Sequence, residues 1–376
     1  MRVVHNVYKP VFDALLSMTR VLMTGSKEFP LGTNNNYDPS PSGGMEVYAQ
    51  ELAKRLSKHH AVTIITRKFP NTPAQENALG VDVVRVPFLR GRLIRNASYN
   101  LFAFVKTLFT PFDVLITHDL IASFLGAFSA RLRRKPHIAV CHGIVSNQPQ
   151  FSKLFRHFLR VVEHLAYNWP SLTVTHCPPR QIEQVTKNYV QVKPGFNFAY
   201  LRIPKKAHKR AVIVFTGRLL KVKRVDTLIE ALMYLSFPYA CFIVGDGEER
   251  KRLEALAKEK GVNTVFAGHV DDVAHYLLGA DVFVLPSESE SLGYSMLEAM
   301  SMNLPCVVTD LGIVSRKEAY VVPVAQPRAL ARALTTAFRN KELSRKKVKA
   351  AHAFLKSFSW NNATKHYLEA INKLTR

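Results

Sequence analysis

Asp281-Val-Phe-Val-Leu-Pro-Ser-Glu-Ser-Glu290-Ser-Leu-Gly-Tyr-Ser-Met-Leu-Glu298-Ala-Met300 joins an uninterrupted apolar run to a polar loop and then to a helical pattern. The run 282–285 is apolar on both sides of its pleat, as parallel strands covered on both faces are. Gly293 is placed to open the following helix. The N–H groups of Gly293, Tyr294 and Ser295 then lack partners within the helix and are free to point at an anion. Open α/β sheets take ligands at the carboxyl ends of their strands. Glu290 in the loop and Glu298 about one turn into the helix are therefore candidates to hold two hydroxyl-bearing parts of one ligand. Taken alone, the two carboxylates are explained equally well as a first-turn charge favoured by the helix dipole and a solvated helix residue.

The same alternation runs through the chain. Short β-branched runs at 21–24, 62–66, 81–86, 114–118, 138–141 and 172–175 form one series, and runs at 212–216, 241–244, 264–267, 282–285, 306–309 and 320–322 a second. Helical patterns lie at 46–58, 225–235, 248–260 and 327–340. A last helix begins near Trp360, with Ala363, Tyr367, Ala370, Ile371 and Leu374 at helical spacing. Strands separated by helices predict parallel sheets, and this many strands predict two of them. The break falls at 192–209, where Lys193-Pro-Gly-Phe-Asn197 and Pro204-Lys-Lys-Ala-His-Lys209 read as a linker. The expected fold is α/β, with two doubly wound, Rossmann-like domains at 1–196 and 197–358 facing across a cleft. A C-terminal helix at 359–376 must bury its apolar face, a return to the first domain being the working placement. Residues 1–17 read as an extension and 32–42 as a mobile loop rich in turn formers.

The 376 residues carry 52 Lys+Arg against 28 Asp+Glu, a formal charge of +24. With 47% hydrophobic and 21% charged residues the chain can fill large cores, which excludes general disorder. No apolar run reaches the roughly 18 residues of a spanning helix. Arg2, Lys9, Pro10 and Asp13 interrupt the N-terminal stretch, so no secretory leader is expected and the cytoplasm is the expected compartment. Cys141, Cys177, Cys241 and Cys306 are isolated, so neither a disulfide framework nor a zinc site is expected. The cationic surplus attracts phosphate, whether on nucleic acid, an anionic lipid or a small molecule.

Phe215-Thr-Gly217-Arg218-Leu-Leu-Lys221-Val-Lys223-Arg224 sits at the carboxyl end of the second domain's first strand. Arg218 offers a bidentate guanidinium and Lys223 a point charge, a pair suited to a diphosphate; an ordinary basic loop is the alternative. Ser42-Gly43-Gly44 leads into a helix and allows close backbone approach to a phosphate or sugar, although glycine pairs are common in loops. Gly245-Asp-Gly247 is a weaker signal. Val140-Cys-His142-Gly143 and Thr117-His118-Asp119 put histidines at the ends of first-domain strands, as hydrogen-bond partners or proton carriers. A strand-capping histidine without a role is at least as common, for His118 above all.

In this order, these residues resemble the family 4 retaining glycosyltransferases of the GT-B fold. The resemblance runs from Arg20 to the Trp360 helix. It takes in Phe29-Pro30, the Gly43-Gly44 helix with Leu52-Ala-Lys-Arg-Leu56, His142-Gly143, Lys193-Pro-Gly-Phe-Asn197 and Gly217-Arg-Leu with Lys223. It continues through Val244-Gly-Asp-Gly247, the Glu290/Glu298 pair with seven residues between, and Pro305-Cys-Val-Val-Thr-Asp310. The resemblance implies transfer of a sugar from a nucleotide-sugar donor to an acceptor hydroxyl with retained anomeric configuration. By position it implies that Arg218 and Lys223 hold the donor diphosphate, beside Gly217 and the helix start at Gly293, Tyr294 and Ser295. Glu298 would take the ribose hydroxyls and Glu290 the transferred sugar. Gly44 would lie against the phosphates from the opposite domain, and His142 beside the donor sugar. The implied catalytic set is His142, Arg218, Lys223 and Glu290. The nucleotide sugar is a substrate, and no cofactor or metal is implied. The chain departs from the family pattern at Pro194, at Asn197, at Asn303, which stands where glycine is usual, and in the short 311–318 loop. These departures bear on donor base and sugar.

From 85 to 160 the chain carries twelve Lys/Arg against Asp113 and Asp119, interleaved with Leu93, Ile94, Tyr99, Leu101, Phe102, Phe104, Phe109, Phe151, Phe155 and Phe158. Basic amphipathic segments lie on anionic bilayers. A lipid-linked or membrane-associated glycan acceptor, and a peripheral position on the inner face of the cell membrane, are expected on that ground. A solvated basic face over core aromatics is the alternative. Two other function classes stay open. One is a non-catalytic GT-B relative that binds a sugar nucleotide or a membrane surface. The other, less favoured, is a nucleic-acid-binding protein, for which the charge speaks but no recognised motif does.

Overall fold

The computed structural model describes residues 18–34, 44–91, 94–147, 151–196, 210–270 and 272–376. The expected extension, most of the 32–42 loop, Gly43, Leu93, Asn197 and the remainder of the expected linker lie outside them. In chain order the first elements are β1 (Arg20–Thr24), α1 (Gly44–Leu56), β2 (Ala61–Arg67), β3 (Gln75–Ala78), β4 (Val81–Val86), α2 (Arg95–Phe109), β5 (Val114–His118) and α3 (Leu120–Leu132). There follow β6 (His137–Cys141), α4 (Lys153–Asn168), β7 (Leu172–Thr175), α5 (Pro179–Ile182) and β8 (Tyr189–Gln191). The second series is β9 (Ala211–Thr216), α6 (Val225–Leu232), β10 (Tyr239–Val244), α7 (Arg250–Glu259), β11 (Thr264–Gly268) and α8 (Val273–Leu278). It continues with β12 (Val282–Leu285), α9 (Tyr294–Ser301), β13 (Cys306–Thr309), β14 (Tyr320–Val322), α10 (Pro327–Arg339), α11 (Lys341–Leu355) and α12 (Trp360–Thr375).

These elements form two compact units. An N-terminal unit comprises Met1–Ser146, Lys153–Gly195 and Ser359–Arg376, and a C-terminal unit Asn147–Ser152 and Phe196–Phe358. The N-terminal sheet runs β3-β4-β2-β1-β5-β6-β7-β8, parallel except for β3 against β4. Successive residues of a strand face opposite sides of its sheet. Accordingly, Val21 and Met23 enter one core with Tyr48 and Leu52 of α1, while Leu22 enters another with Tyr99 of α2 and Ala130 of α3. In β6 the same alternation sends Ile138 and Val140 one way, Ala139 and Cys141 the other. The α1 face is completed by α12, whose Trp360, Ala363, Tyr367 and Ile371 are buried in it. β3 and β8 are short polar strands that the search for apolar runs does not find; both are edges, where one side of the pairing faces no neighbour.

The C-terminal sheet runs β11-β10-β9-β12-β13-β14. Every strand pair in it is parallel. Its inner strands β9, β12 and β13 are buried Val/Ile/Leu/Phe-rich runs, packed with α6, α9 and α10 into one core, and the edge strand β11 is only partly buried. The four cysteines are buried and form no disulfide. Among the described residues no helix is long and apolar enough to cross a membrane.

Candidate functional site

In the C-terminal sheet the strand order reverses between β9 and β12, since β9 leads outward to β10 and β12 to β13 on the other side. Such a switch point leaves a crevice beyond the carboxyl ends of the two strands. The loop after β9 begins at Gly217, with φ +151°, whose N–H donates to Val244 O at 3.0 Å. A Cβ on Gly245 would lie 2.0 Å from Gly217 O, and one on Gly247 would lie 2.4 Å from Leu219 O. The Gly245-Asp-Gly247 loop therefore lets two backbones touch, and its glycines serve packing. Lys223 closes a short 3-10 turn that ends on Arg224 in the left-handed region, φ +50°.

The two crevice loops are tied together. Glu288 N–H donates to Val222 O at 2.8 Å, and Arg224 reaches Asp226 at 3.2 Å and Glu288 at 3.4 Å. Lys223 Nζ forms an ion pair with Glu290 Oε1, to which Ser287 Oγ also donates at 2.9 Å. Thr309 at the end of β13 anchors Ser287 through its backbone carbonyl. The paired side chains are 20% and 11% exposed, so the contact is partly desolvated, and loss of either partner would strand a poorly hydrated charge. Arg218 is exposed and has no partner among the described residues.

Gly293 caps α9 in the left-handed region, φ +71° and ψ +62°, and a Cβ there would press within 3.1 Å of Leu285 Cδ2. Among the described residues nothing accepts from the N–H groups of Gly293, Tyr294 or Ser295, which leaves the positive end of the helix open. Tyr294 is stacked on Phe196, with ring centroids 6.1 Å apart, and burial raises its phenol above the ordinary value. Glu298 lies one turn in, and burial pushes it up to about 7. No described residue pairs with its carboxylate. Asn303, the departure from a usual glycine, takes φ +62° just after α9. Asparagine tolerates that region better than most side chains, so the helix stop is kept. In the short 311–318 loop the Glu318 carboxylate is used locally, accepting from Ser315 N–H at 2.9 Å and from its Oγ at 2.6 Å.

The other predicted residues, Gly44 and His142, lie in the N-terminal unit. Gly44 is the first residue of α1, and Tyr48 one turn later is fully buried. Its ring meets three histidines at the carboxyl ends of neighbouring strands: His118 of β5 at 6.1 Å, His142 after β6 at 5.4 Å and His176 after β7 at 4.6 Å. His118 Nδ1 and His142 Nε2 are 3.2 Å apart, and His176 Nδ1 lies 2.8 Å from Val192 O. Burial lowers all three: His118 to about 3, His176 to about 4, and His142 well below the usual value, with neighbouring His176 adding to the effect on His118 and His142. The loop that carries His142 is held by buried Glu163 of α4, which accepts from Val145 N–H, Ser146 N–H and Ser146 Oγ. Asp119 is an N-cap, accepting from Ile121 N–H at 2.7 Å. His176, Tyr48, Ser287 and Glu163 escape the sequence reading. The strand-end position that singles out His118 and His142 would also have found His176.

The family described as Glycosyl transferases group 1 matches residues 198–354, and Glycosyltransferase Family 4 matches residues 42–194. An uncharacterized glycosyltransferase of Methanocaldococcus jannaschii is 27% identical over 73% of this chain and 79% of its own length. A phosphatidyl-myo-inositol mannosyltransferase of Mycobacterium leprae is 27% identical over 66% of this chain and 70% of its own. Among solved structures, Anabaena HepE in complex with UDP and glucose superposes with a TM-score of 0.73 at 18% identity, covering 95% of this chain and 100% of that one.

Proposed function

The chain belongs to the family 4 glycosyltransferases of the GT-B fold, and on that premise we propose that it is a retaining enzyme. It moves a sugar from a nucleotide-sugar donor to a hydroxyl of a lipid-linked or membrane-associated glycan, without a bound metal. The observation that carries this is the pairing of Lys223 with Glu290 at the switch point, in the same unit as unpartnered Arg218 and the open start of α9. Arg218, Lys223 and the N–H groups of 293–295 meet the donor diphosphate. They are aimed where negative charge grows as the nucleoside diphosphate departs, and preorganised donors of that kind usually lower the barrier more than any other single effect. This charge complement is what a metal would otherwise supply.

Lys223 engages Glu290 in the ligand-free chain. A diphosphate competes for the ammonium, and the released carboxylate accepts from hydroxyls of the transferred sugar. Glu298 takes the ribose diol. The C1–O bond to the diphosphate breaks as the acceptor oxygen forms a new C1–O bond on the same face, and the acceptor proton passes to the departing phosphate oxygen. Support for the lipid-facing acceptor comes from α4, where Leu154, Phe155, Phe158 and Val161 are exposed beside Lys153 and Arg160. The two acids of the basic stretch, Asp113 paired with Arg20 and Lys135 and Asp119 capping α3, leave most of its twelve cations uncompensated.

Screening thermal stabilisation over UDP-, GDP- and ADP-sugars tests the donor reading, because a ligand of the folded state raises its melting temperature. One nucleotide-sugar class is expected to stabilise the wild type and to be hydrolysed slowly without acceptor. Glu290→Ala should abolish the hydrolysis. Full turnover in that variant, or no donor class that stabilises, overturns the proposal.

A further inference from the structure

We propose that His118 is a positioning residue: its Nδ1–H donates to Nε2 of His142 and fixes His142 as the tautomer that carries its proton on Nδ1. The 3.2 Å separation of the two ring nitrogens requires one proton between them. A neutral imidazole has one donor and one acceptor nitrogen, so there are two assignments. If His142 donated, His118 would have to keep its own proton on Nε2. That atom is fully buried without a partner, and a buried N–H left unpaired costs the full desolvation of the group. If His118 donates, its Nε2 is a bare lone pair. The cluster already holds one such nitrogen. His176 Nδ1 faces the carbonyl of Val192, which only accepts, so His176 carries its proton there and its buried Nε2 is bare as well.

His142 is thereby left with an N–H at Nδ1 that has no acceptor among the described residues, on a half-buried ring at the carboxyl edge of β6. It presents a hydrogen-bond donor to an oxygen of the substrate and holds no basic nitrogen toward it. His142 then does not take the acceptor proton, in keeping with its transfer to the departing phosphate. The tautomer stands on the ligand-free chain; the substrate contact rests on the glycosyl transfer proposed above.

Long-range proton–nitrogen correlation spectra of the full chain labelled with 15N-histidine read the tautomer directly, with His142 assigned by its disappearance in His142→Gln. The expected spectrum at neutral pH shows His142 protonated on Nδ1. His118→Ala should shift it toward the Nε2–H form, and His118→Asn, whose amide N–H occupies the place of Nδ1–H, should restore it. A wild-type His142 protonated on Nε2 overturns the proposal without need of any variant, and so does an Nδ1–H signal that persists in His118→Ala. Because no ligand is present, failure of the donor screen and failure of this assignment are separate results.

Discussion

Glu298 carries its proton to a higher pH than an ordinary glutamate because its half-buried side chain is partly desolvated and has no partner among the described residues. Its folded value of about 7 lies above the unfolded 4.5. The folded chain therefore binds a proton that the unfolded chain has released between those values. The stabilisation from this group is complete below pH 4.5 and is lost as pH rises through about 7. Glu298→Gln should remove it, so the melting temperature of the variant should gain on that of the wild type as pH rises through this window. A ribose diol is held best by the ionised carboxylate. Binding of whichever nucleotide sugar stabilises the wild type, measured by calorimetry, should accordingly tighten with pH through about 7 in the wild type and lose that dependence in Glu298→Gln. The glutamate was legible in the sequence because it follows a strand, a loop and a glycine in fixed order. The partnership of Lys223 with Glu290 was not, since the two belong to loops 67 residues apart that only the strand order brings together.

Helix α12 shows how an element is fixed from outside its own sequence. Gly195 lies against it so closely that a Cβ would fall 2.1 Å from the Trp360 ring and 2.6 Å from its Cα. Trp360 in turn lies 5.3 Å from the Tyr48 ring and under the Arg55 guanidinium at 4.6 Å, and Tyr367 Oη bonds Tyr48 Oη at 3.1 Å. Gly195→Ala forces this junction apart and should cost about 1–3 kcal/mol or more, as overpacking does. Tyr367→Phe loses one buried hydrogen bond, about 1 kcal/mol. Urea unfolding followed by tryptophan fluorescence reads both, since Trp169 and Trp360, the only two tryptophans, belong to the N-terminal unit. Unchanged midpoints would show that α12 is not held there. The apolar stripe of α12 announced that it packs, and runs such as 114–118 and 282–285 announced strands, because burial on both faces leaves no polar residue to confuse the pattern. Gln75–Ala78 and Tyr189–Gln191 gave no such sign. As edges they are held by backbone pairing to one neighbour, for which side-chain composition is a poor guide.

The charge of +24 belongs to the molecule as a whole, and the residues proposed for the donor account for little of it. If the basic-aromatic stretch meets an anionic bilayer, two forces of different range act. Electrostatic attraction is screened over about 10 Å at 0.1 M salt and about 3 Å at 1 M, whereas apolar insertion is insensitive to screening. Leu154 is 82% and Phe158 58% exposed on α4, so their replacement should leave stability within about 0.5 kcal/mol. Flotation of the wild type with anionic vesicles should therefore weaken with salt without vanishing, and Leu154→Ser/Phe158→Ser should lose the salt-resistant part while melting as the wild type does. A surface that binds through charge alone, as a nucleic-acid-binding face would, predicts the opposite: complete loss at high salt and no effect of the two serines.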